Sequence, residues 1–246
     1  MDFLTPEKFP QLEDGQVHVW RVSALISDEG IQRLSDILSE DERERLGRFH
    51  FPKDRARFAS GRAALRTLLG RYSGADPAAI AFIRAPHGKP LAASESAARH
   101  LTFNVSHSGN IALIAVARDI PVGVDIERFR TRVDFGGIIR RFFAPEEIEA
   151  FLTLPESAKP AAFMAVWTRK ESLLKAIGEG LAGHLNSFAV SVPADEPPRV
   201  IRFRDEPGPG EWSIADLFPG PDYKAALAAK HPSPEISCLD EAGIER

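Results

Sequence analysis

Trp167-Thr168-Arg169-Lys170-Glu171-Ser172-Leu173-Leu174-Lys175 is the stretch from which the rest of the chain is best read. At about 100° per residue it belongs to a helix whose apolar stripe is Phe163, Val166, Trp167, Leu173, Leu174 and Ile177. Lys170 falls near the middle of that stripe, where a solvated lysine does not belong. Glu171 and Lys175 stand one turn apart along its margin, so both can reach the same point in space. A carboxylate and an ammonium held together beside a core are the parts needed to bind a metal and a phosphate. Taken alone, the pair also fits an ordinary helix ion pair of small energetic value.

Val122-Gly123-Val124-Asp125-Ile126-Glu127 is the second signal. In a strand, Val122, Val124 and Ile126 share one face, and Gly123, Asp125 and Glu127 share the other. The two carboxylates then lie about 7 Å apart at their Cα atoms, close enough to converge on one cation. Gly123 leaves open room beside them. With Glu171 they supply oxygen ligands suited to Mg²⁺, which keeps several waters and takes few protein carboxylates. The competing reading is a half-buried strand with a solvated acidic face.

Other parts point to an anionic ligand. Asn104-Val105-Ser106-His107-Ser108-Gly109 ends a strand and enters a turn, where backbone N–H groups, a hydroxyl and an imidazole can face a phosphate. The turn at Gly88-Lys89-Pro90 can set a cation beside free backbone groups. Arg43, Arg45, Arg48, Arg55, Arg57, Arg62, Arg66 and Arg71 form a basic patch, or simply a solvated helix face. No Walker loop, dinucleotide glycine fingerprint, nucleophile elbow or HExxH motif is present.

Composition narrows the class. The chain has 246 residues, 43% hydrophobic and 27% charged, as in soluble globular proteins. A net charge of −4 argues against nucleic acid or an anionic membrane as a bulk partner. A single cysteine, Cys238, excludes an internal disulfide and a cysteine zinc cage. The first seven residues lack the pattern of a signal peptide, and the apolar run 111–117 is too short to span a bilayer. A cytoplasmic enzyme is expected.

Along the chain, residues 17–25 alternate like a strand, Ser27 caps a helix through Leu38, and Ser39-Glu40-Asp41-Glu42 opens another. A basic helix or helix pair follows over 54–72. Strands are expected at 80–83 and 101–106, and residues 111–117 and 122–127 read as a strand pair joined by a turn at 118–121. Helices are expected over 145–152 and through Glu171, the latter ending at Gly178 or Gly180. Short strands follow near 188–192, 200–203, 211–215 and 223–229, and residues 231–246 read as a loosely ordered tail. A weak repeat relates 48–54 to 141–147 and sets Arg62-Ala63-Ala64-Leu65 against Lys170-Glu171-Ser172-Leu173.

Taken in order, Gly88-Lys89-Pro90, Asn104-Val105-Ser106-His107-Ser108, Val122-Gly123-Val124-Asp125-Ile126-Glu127 and Trp167 through Leu181 resemble the 4'-phosphopantetheinyl transferases, specifically the longer surfactin-synthetase-activator (Sfp) type. The resemblance covers about residues 39–191. It implies an α/β (α+β) fold of two similar halves in pseudo-twofold arrangement, with coenzyme A bound between them. The corresponding organisation is an N-terminal half over 1–121, a C-terminal half carrying the metal site over 122–230, and a flexible tail over 231–246. It also implies transfer of the phosphopantetheine arm of coenzyme A to a serine of an apo acyl or peptidyl carrier protein, releasing adenosine 3',5'-bisphosphate.

By the same resemblance, Asp125, Glu127 and Glu171 match metal-binding carboxylates, for Mg²⁺ or Mn²⁺. Lys175 matches the lysine that meets the pyrophosphate, and His107 a histidine on a coenzyme A phosphate. Asn104, Ser106 and the turn Arg84 to Pro90, with Gly88 and Lys89, match positions lining the nucleotide, and Arg45 a basic position near the 3'-phosphate. Glu171, Lys175 and His107 are the expected catalytic groups, Glu171 accepting the serine proton directly or through a water. A lysine is expected at Lys170, with no role attached. A monomer is expected, without nucleic-acid or membrane partners. The alternatives are a Mg²⁺-dependent nucleotide pyrophosphohydrolase and a non-catalytic coenzyme A-binding protein. Carrier choice falls to loops such as 128–140, where residue type alone says little.

Overall fold

Alternation in the strands decides how the layers stack. In the computed structural model, residues 1–129, 135–178, 185–204, 206–207 and 210–241 are described. The elements run β1 (Gln16–Ser23), α1 (Asp28–Leu34), α2 (Glu40–Gly47), α3 (Pro52–Ser73), β2 (Phe82–Arg84), β3 (Pro90–Ala92), β4 (Leu101–Ser108), β5 (Ile111–Arg118) and β6 (Val122–Arg128). They continue as α4 (Phe135–Phe142), α5 (Pro145–Thr153), α6 (Lys159–Ile177), β7 (Phe188–Val190), β8 (Val200–Phe203), β9 (Glu206–Pro207), β10 (Ser213–Leu217), β11 (Tyr223–Ala229) and β12 (Glu235–Asp240).

One sheet has the order β12-β1-β5-β4 and another β10-β11-β6. Trp20 and Val22 of β1, with Ile114 and Val116 of β5, pack on Leu65, Leu68 and Leu69 of α3. The alternate residues Val17, Val19, Leu113 and Ala115 turn to the other face and meet Val122, Val124, Ile126 and Leu227 of the second sheet. Ala226 and Ala228 of β11 then face Val166, Leu173 and Leu174 of α6. The layers are therefore helix, sheet, sheet, helix. Both sheets are covered on both faces, which explains their nearly unbroken apolar strands.

Two expectations are corrected here. Residues 111–117 and 122–127 do not pair as a hairpin. β5 is hydrogen-bonded to β1 and β4, whereas β6 pairs with β11. Both edges of β5 are taken, so the segment after Arg118 carries the chain into the second sheet. The supposed tail is also a strand: β12 runs parallel to β1, from the pair Gln16 and Glu235 to the pair Arg21 and Asp240. Cys238 is buried between the sheets, with Ile236 against the same cluster. Pro232 and Pro234 precede the strand and hid it, while residues 242–246 lie outside those described.

Smaller differences have local causes. Ser27 accepts from the Gly30 N–H as expected, but α1 stops at Leu34 rather than Leu38. The basic helix is a single α3, opened by Pro52 and closed by Gly74 at φ 70°. Residues 135–140, expected within the loop 128–140, belong to α4; Gly136 and Gly137 lower its intrinsic propensity, and packing of Ile138, Ile139 and Phe142 on the α6 core offsets this. Residues 130–134 of that loop lie outside the described residues.

The faint repeat is partly structural. Glu42, in the first turn of α2, accepts the Ser39 N–H and pairs with Arg62 and Arg66 of α3 at 2.6 Å each. Glu147, in the first turn of α5, accepts the Ala144 N–H and pairs with Lys170 of α6. Arg62 of α3 and Lys170 of α6 thus do the same job, in the register the sequence indicates. The likeness of 48–54 to 141–147 is not structural, because Pro52 opens the long α3 and Pro145 the short α5.

One buried group makes stability depend on pH. Trp20 Nε1 donates to Tyr72 Oη at 2.8 Å, and that hydroxyl lies 2.7 Å from His18 Nδ1. With the indole N–H directed at the oxygen, the hydroxyl proton points to His18, which is a neutral acceptor there. Burial lowers the His18 pKa from 6.5 to about 4, against an opposing pull from Glu235. Between those values the unfolded chain binds a proton that the native state refuses. Stability is therefore expected to fall as pH drops from 6.5 towards 4, by about 3 kcal/mol at most. Urea unfolding at both ends of that window checks this: His18→Gln, which keeps an acceptor, should flatten the slope, and an unchanged slope refutes it.

Candidate active site

The site begins with a missing side chain. A Cβ on Gly123 would lie 2.1 Å from Ser172 O and 2.3 Å from Ala176 N. The room beside the two carboxylates is thus filled by the backbone of α6, correcting the expectation that it is open. This contact lays α6 directly on the Gly123-Asp125-Glu127 face of β6 and sets Glu171 and Lys175 over Asp125. Gly123→Ala is expected to push helix and strand apart and destabilise by about 1–3 kcal/mol. Chemical denaturation would show it, and a wild-type midpoint would mean the contact relaxes freely.

Lys175 Nζ donates to Asp125 Oδ1 at 2.6 Å, to Ser106 Oγ at 2.9 Å and to Val124 O at 3.3 Å. Ser106 Oγ donates to the same Asp125 oxygen at 3.0 Å, and Ser108 Oγ donates to Glu127 Oε2 at 3.1 Å. Asp125 Oδ2 and Glu171 Oε1 are buried without a hydrogen-bond partner. The Glu171 carboxyl is pushed up to about 7 by burial and then by Asp125 and Glu127, with Lys175 opposing. Two orphaned carboxylate oxygens and a carboxyl reluctant to ionise are donors that would fit a cation. Oxygen donors of this kind suit Mg²⁺. Among the described residues, no group of three or more His, Cys, Asp or Glu side chains is arranged so that it alone could hold a metal ion. An ion held here would therefore complete its shell with water and substrate oxygens.

Around these groups is a cavity of about 330 Å³, walled also by His107 and Trp167. A second cavity of about 370 Å³ is lined by Arg45, Arg57 and Arg62, by Phe49 and Phe58, and by Pro90. Val105 and His107 belong to both walls. A carboxylate-lined pocket and an arginine-lined pocket thus share a partition. A ligand with a phosphorylated, partly aromatic end and a pyrophosphate fits this charge pattern.

A family model described as the 4'-phosphopantetheinyl transferase superfamily matches residues 121–228, and one described as 4'-phosphopantetheinyl transferase, N-terminal, matches residues 26–119. Over 223 residues the chain is 37% identical to the 4'-phosphopantetheinyl transferase HetI of Nostoc sp., covering 91% of each chain. The chain belongs to the 4'-phosphopantetheinyl transferase family. It is likewise 37% identical over 198 residues to a putative 4'-phosphopantetheinyl transferase of Synechocystis sp., covering 78% of this chain and 79% of that one. Similarity to the 4'-phosphopantetheinyl transferase Sfp of Bacillus subtilis, 31% over 207 residues with 84% and 88% covered, places it with the Sfp type. Its fold is mixed α/β, with the smaller sheets β2-β3 and β7-β8-β9 accompanying β12-β1-β5-β4 and β10-β11-β6.

Not every expected residue of this transferase reaches the cavities. His107 is not in a turn: β4 continues to Ser108, and the chain reverses in the two-residue loop Gly109-Asn110, with Gly109 at φ 59°. Its exposed ring sits at the partition, where flanking protein, Arg57 and Lys175 hold its pKa below the usual range. Asn104 uses its Oδ1 on the Val124 N–H at 3.0 Å, as Ser106 and Ser108 use their hydroxyls on the Ile126 and Arg128 N–H groups. These side chains replace a backbone ladder between β4 and β6 and satisfy that edge. Lys89, with a pKa lowered by burial to about 8, donates to backbone carbonyls rather than facing either cavity. Arg84 is exposed, and neither it nor Gly88 lines the two cavities.

Arg57, Arg62, Phe49 and Phe58 were not singled out from sequence as lining residues. Arg57, Phe58, Gly61 and Arg62 line the cavity at i, i+1, i+4 and i+5 along α3, and that one-face spacing is the signal that could have marked Arg57 and Arg62 as neighbours. A solvated face does not describe Arg66, which is 2% exposed. The alternative helix end at Gly180 lies outside the described residues, and α6 closes on Gly178 at φ 85°.

Proposed function

We propose that this transferase moves the 4'-phosphopantetheine arm of coenzyme A to a serine of an apo carrier protein, with Asp125, Glu127, Glu171, Lys175 and His107 as its reacting and binding groups. The observation that carries the reading is the pair of unpartnered buried oxygens, Asp125 Oδ2 and Glu171 Oε1, beside the Lys175 ammonium. Asp125, Glu127 and Glu171 would hold Mg²⁺ or Mn²⁺, which when bound neutralises the pyrophosphate and polarises the phosphorus under attack.

The residues then divide the work. Arg45, with Arg57 beside it, binds the phosphorylated nucleoside end in the basic cavity. Glu171 takes the proton of the carrier serine, through a water where its own oxygen is engaged. The serine oxygen forms a bond to the pantetheine-side phosphorus, and the bond from that phosphorus to the bridging oxygen breaks. Lys175 and His107 stabilise the charge that grows on the departing adenosine 3',5'-bisphosphate. Ser106 holds Lys175 and Asp125 together during the exchange. Among the described residues, no helix is long and apolar enough to cross a membrane.

The test is incubation with coenzyme A, Mg²⁺ and a panel of apo carriers from fatty-acid, polyketide, nonribosomal-peptide and lysine pathways, read by intact mass. At least one carrier should gain a phosphopantetheine. Cleavage of coenzyme A without mass gain on any carrier would overturn the reading in favour of hydrolysis.

A further inference from the structure

Lys89 lies on the β2–β3 hairpin, and the resemblance places it against the ligand. In the structure its ammonium donates to Lys175 O at 2.6 Å, Val122 O at 3.2 Å and Ala176 O at 3.3 Å. An ammonium has three donors, and three carbonyls use them. Lys175 and Ala176 are in the last turn of α6, where carbonyls lack helical partners and a cation is favoured. Val122 opens β6, three residues before Asp125. A single side chain therefore ties the start of the strand bearing Asp125 and Glu127 to the end of the helix bearing Glu171 and Lys175. The next residue, Pro90, lines the arginine-rich cavity, so the same hairpin also walls that pocket.

We propose that Lys89 is a positioning residue for the transfer, clamping the end of α6 to the start of β6 so that Lys175 and Glu171 stay in register with Asp125. The proposal rests on the transfer reading for its kinetic consequence, but the clamp itself exists without substrate. A misplacement of about 1 Å costs about a hundredfold in rate. Lys89→Met is therefore expected to lower kcat about a hundredfold while KM for coenzyme A stays near the wild-type value. Lys89→Arg, which still offers donors to the carbonyls, should recover most of the loss.

The deciding measurement is amide hydrogen exchange on substrate-free protein. Exchange over residues 174–178 should quicken in Lys89→Met, return towards wild type in Lys89→Arg, and stay unchanged in α3. Unaltered exchange together with a raised KM and a normal kcat would overturn the proposal and make Lys89 a substrate contact. Should Lys89→Met fail to fold, Lys89→Gln, neutral and with two donors on a side chain too short to hold all three carbonyls, is expected to show the same loss and carries the same readouts. If the wild-type protein loads no carrier, the transfer reading fails, while the exchange result still judges the clamp.

Discussion

Glu171→Gln is expected to lower carrier loading about 10²- to 10⁴-fold while the protein stays folded. Glutamine has nearly the same shape, so the packing of α6 on β6 is kept. Removed are the proton acceptor and one of the negative charges that surround the unpartnered Asp125 Oδ2. Wild-type Glu171 is under electrostatic load, because burial, Asp125 and Glu127 all disfavour its ionised form. Replacing it with a neutral amide relieves that load, so the thermal midpoint in chelator at pH 8 should equal or exceed that of wild type. A site held for function at a cost in stability behaves this way. Near-normal turnover by intact-mass assay would sink the assignment, and a lowered midpoint would mean that Glu171 is structural.

Lys170→Met is expected to destabilise the fold by about 3–5 kcal/mol. Lys170 Nζ donates to Glu147 at 2.8 and 2.7 Å and to Phe188 O at 2.8 Å, and it lies 4.7 Å from the Phe188 ring centroid. Glu147 also accepts the Ala144 and Val190 N–H groups. Burial pushes the Glu147 carboxyl up and the Lys170 ammonium down. Each carboxylate oxygen nonetheless accepts two donors, which leaves no place for a carboxyl proton, so the pair is read as ionised. Methionine fills the volume but strands the carboxylate among apolar neighbours, and the stranded charge dominates the cost. Adding Glu147→Gln should recover a large part of the loss in urea unfolding. A single-variant loss below about 1 kcal/mol would show that the pair contributes no more than a surface bridge.

Much of the site was legible because its information is local. Period-two alternation put Asp125 and Glu127 on one face of β6, and the helical turn put Glu171 with Lys175. The structure brings these residues, with Ser106 and His107, to one cavity. The end of α6 falls at Gly178, one of the two glycines expected to stop it, whose positive φ suits glycine. Glycine had a second meaning at Gly123 that the strand pattern alone did not reveal, since close approach needs a second element to approach.

By itself, the sequence determined which residues share a face and the ordered motifs that place the chain in its family. Only the tertiary structure decided what stands opposite those faces. It placed β12 beside β1 and separated β6 from β5. It gave Lys170 the buried Glu147, Arg62 and Arg66 the buried Glu42, and Lys89 the carbonyls ending α6. The physical reason is one of range. Backbone periodicity is set within a few residues, but a charge in a core is stable only if a distant segment brings it a partner. Lys170 looked out of place in its stripe because that partner lies 23 residues away in the chain.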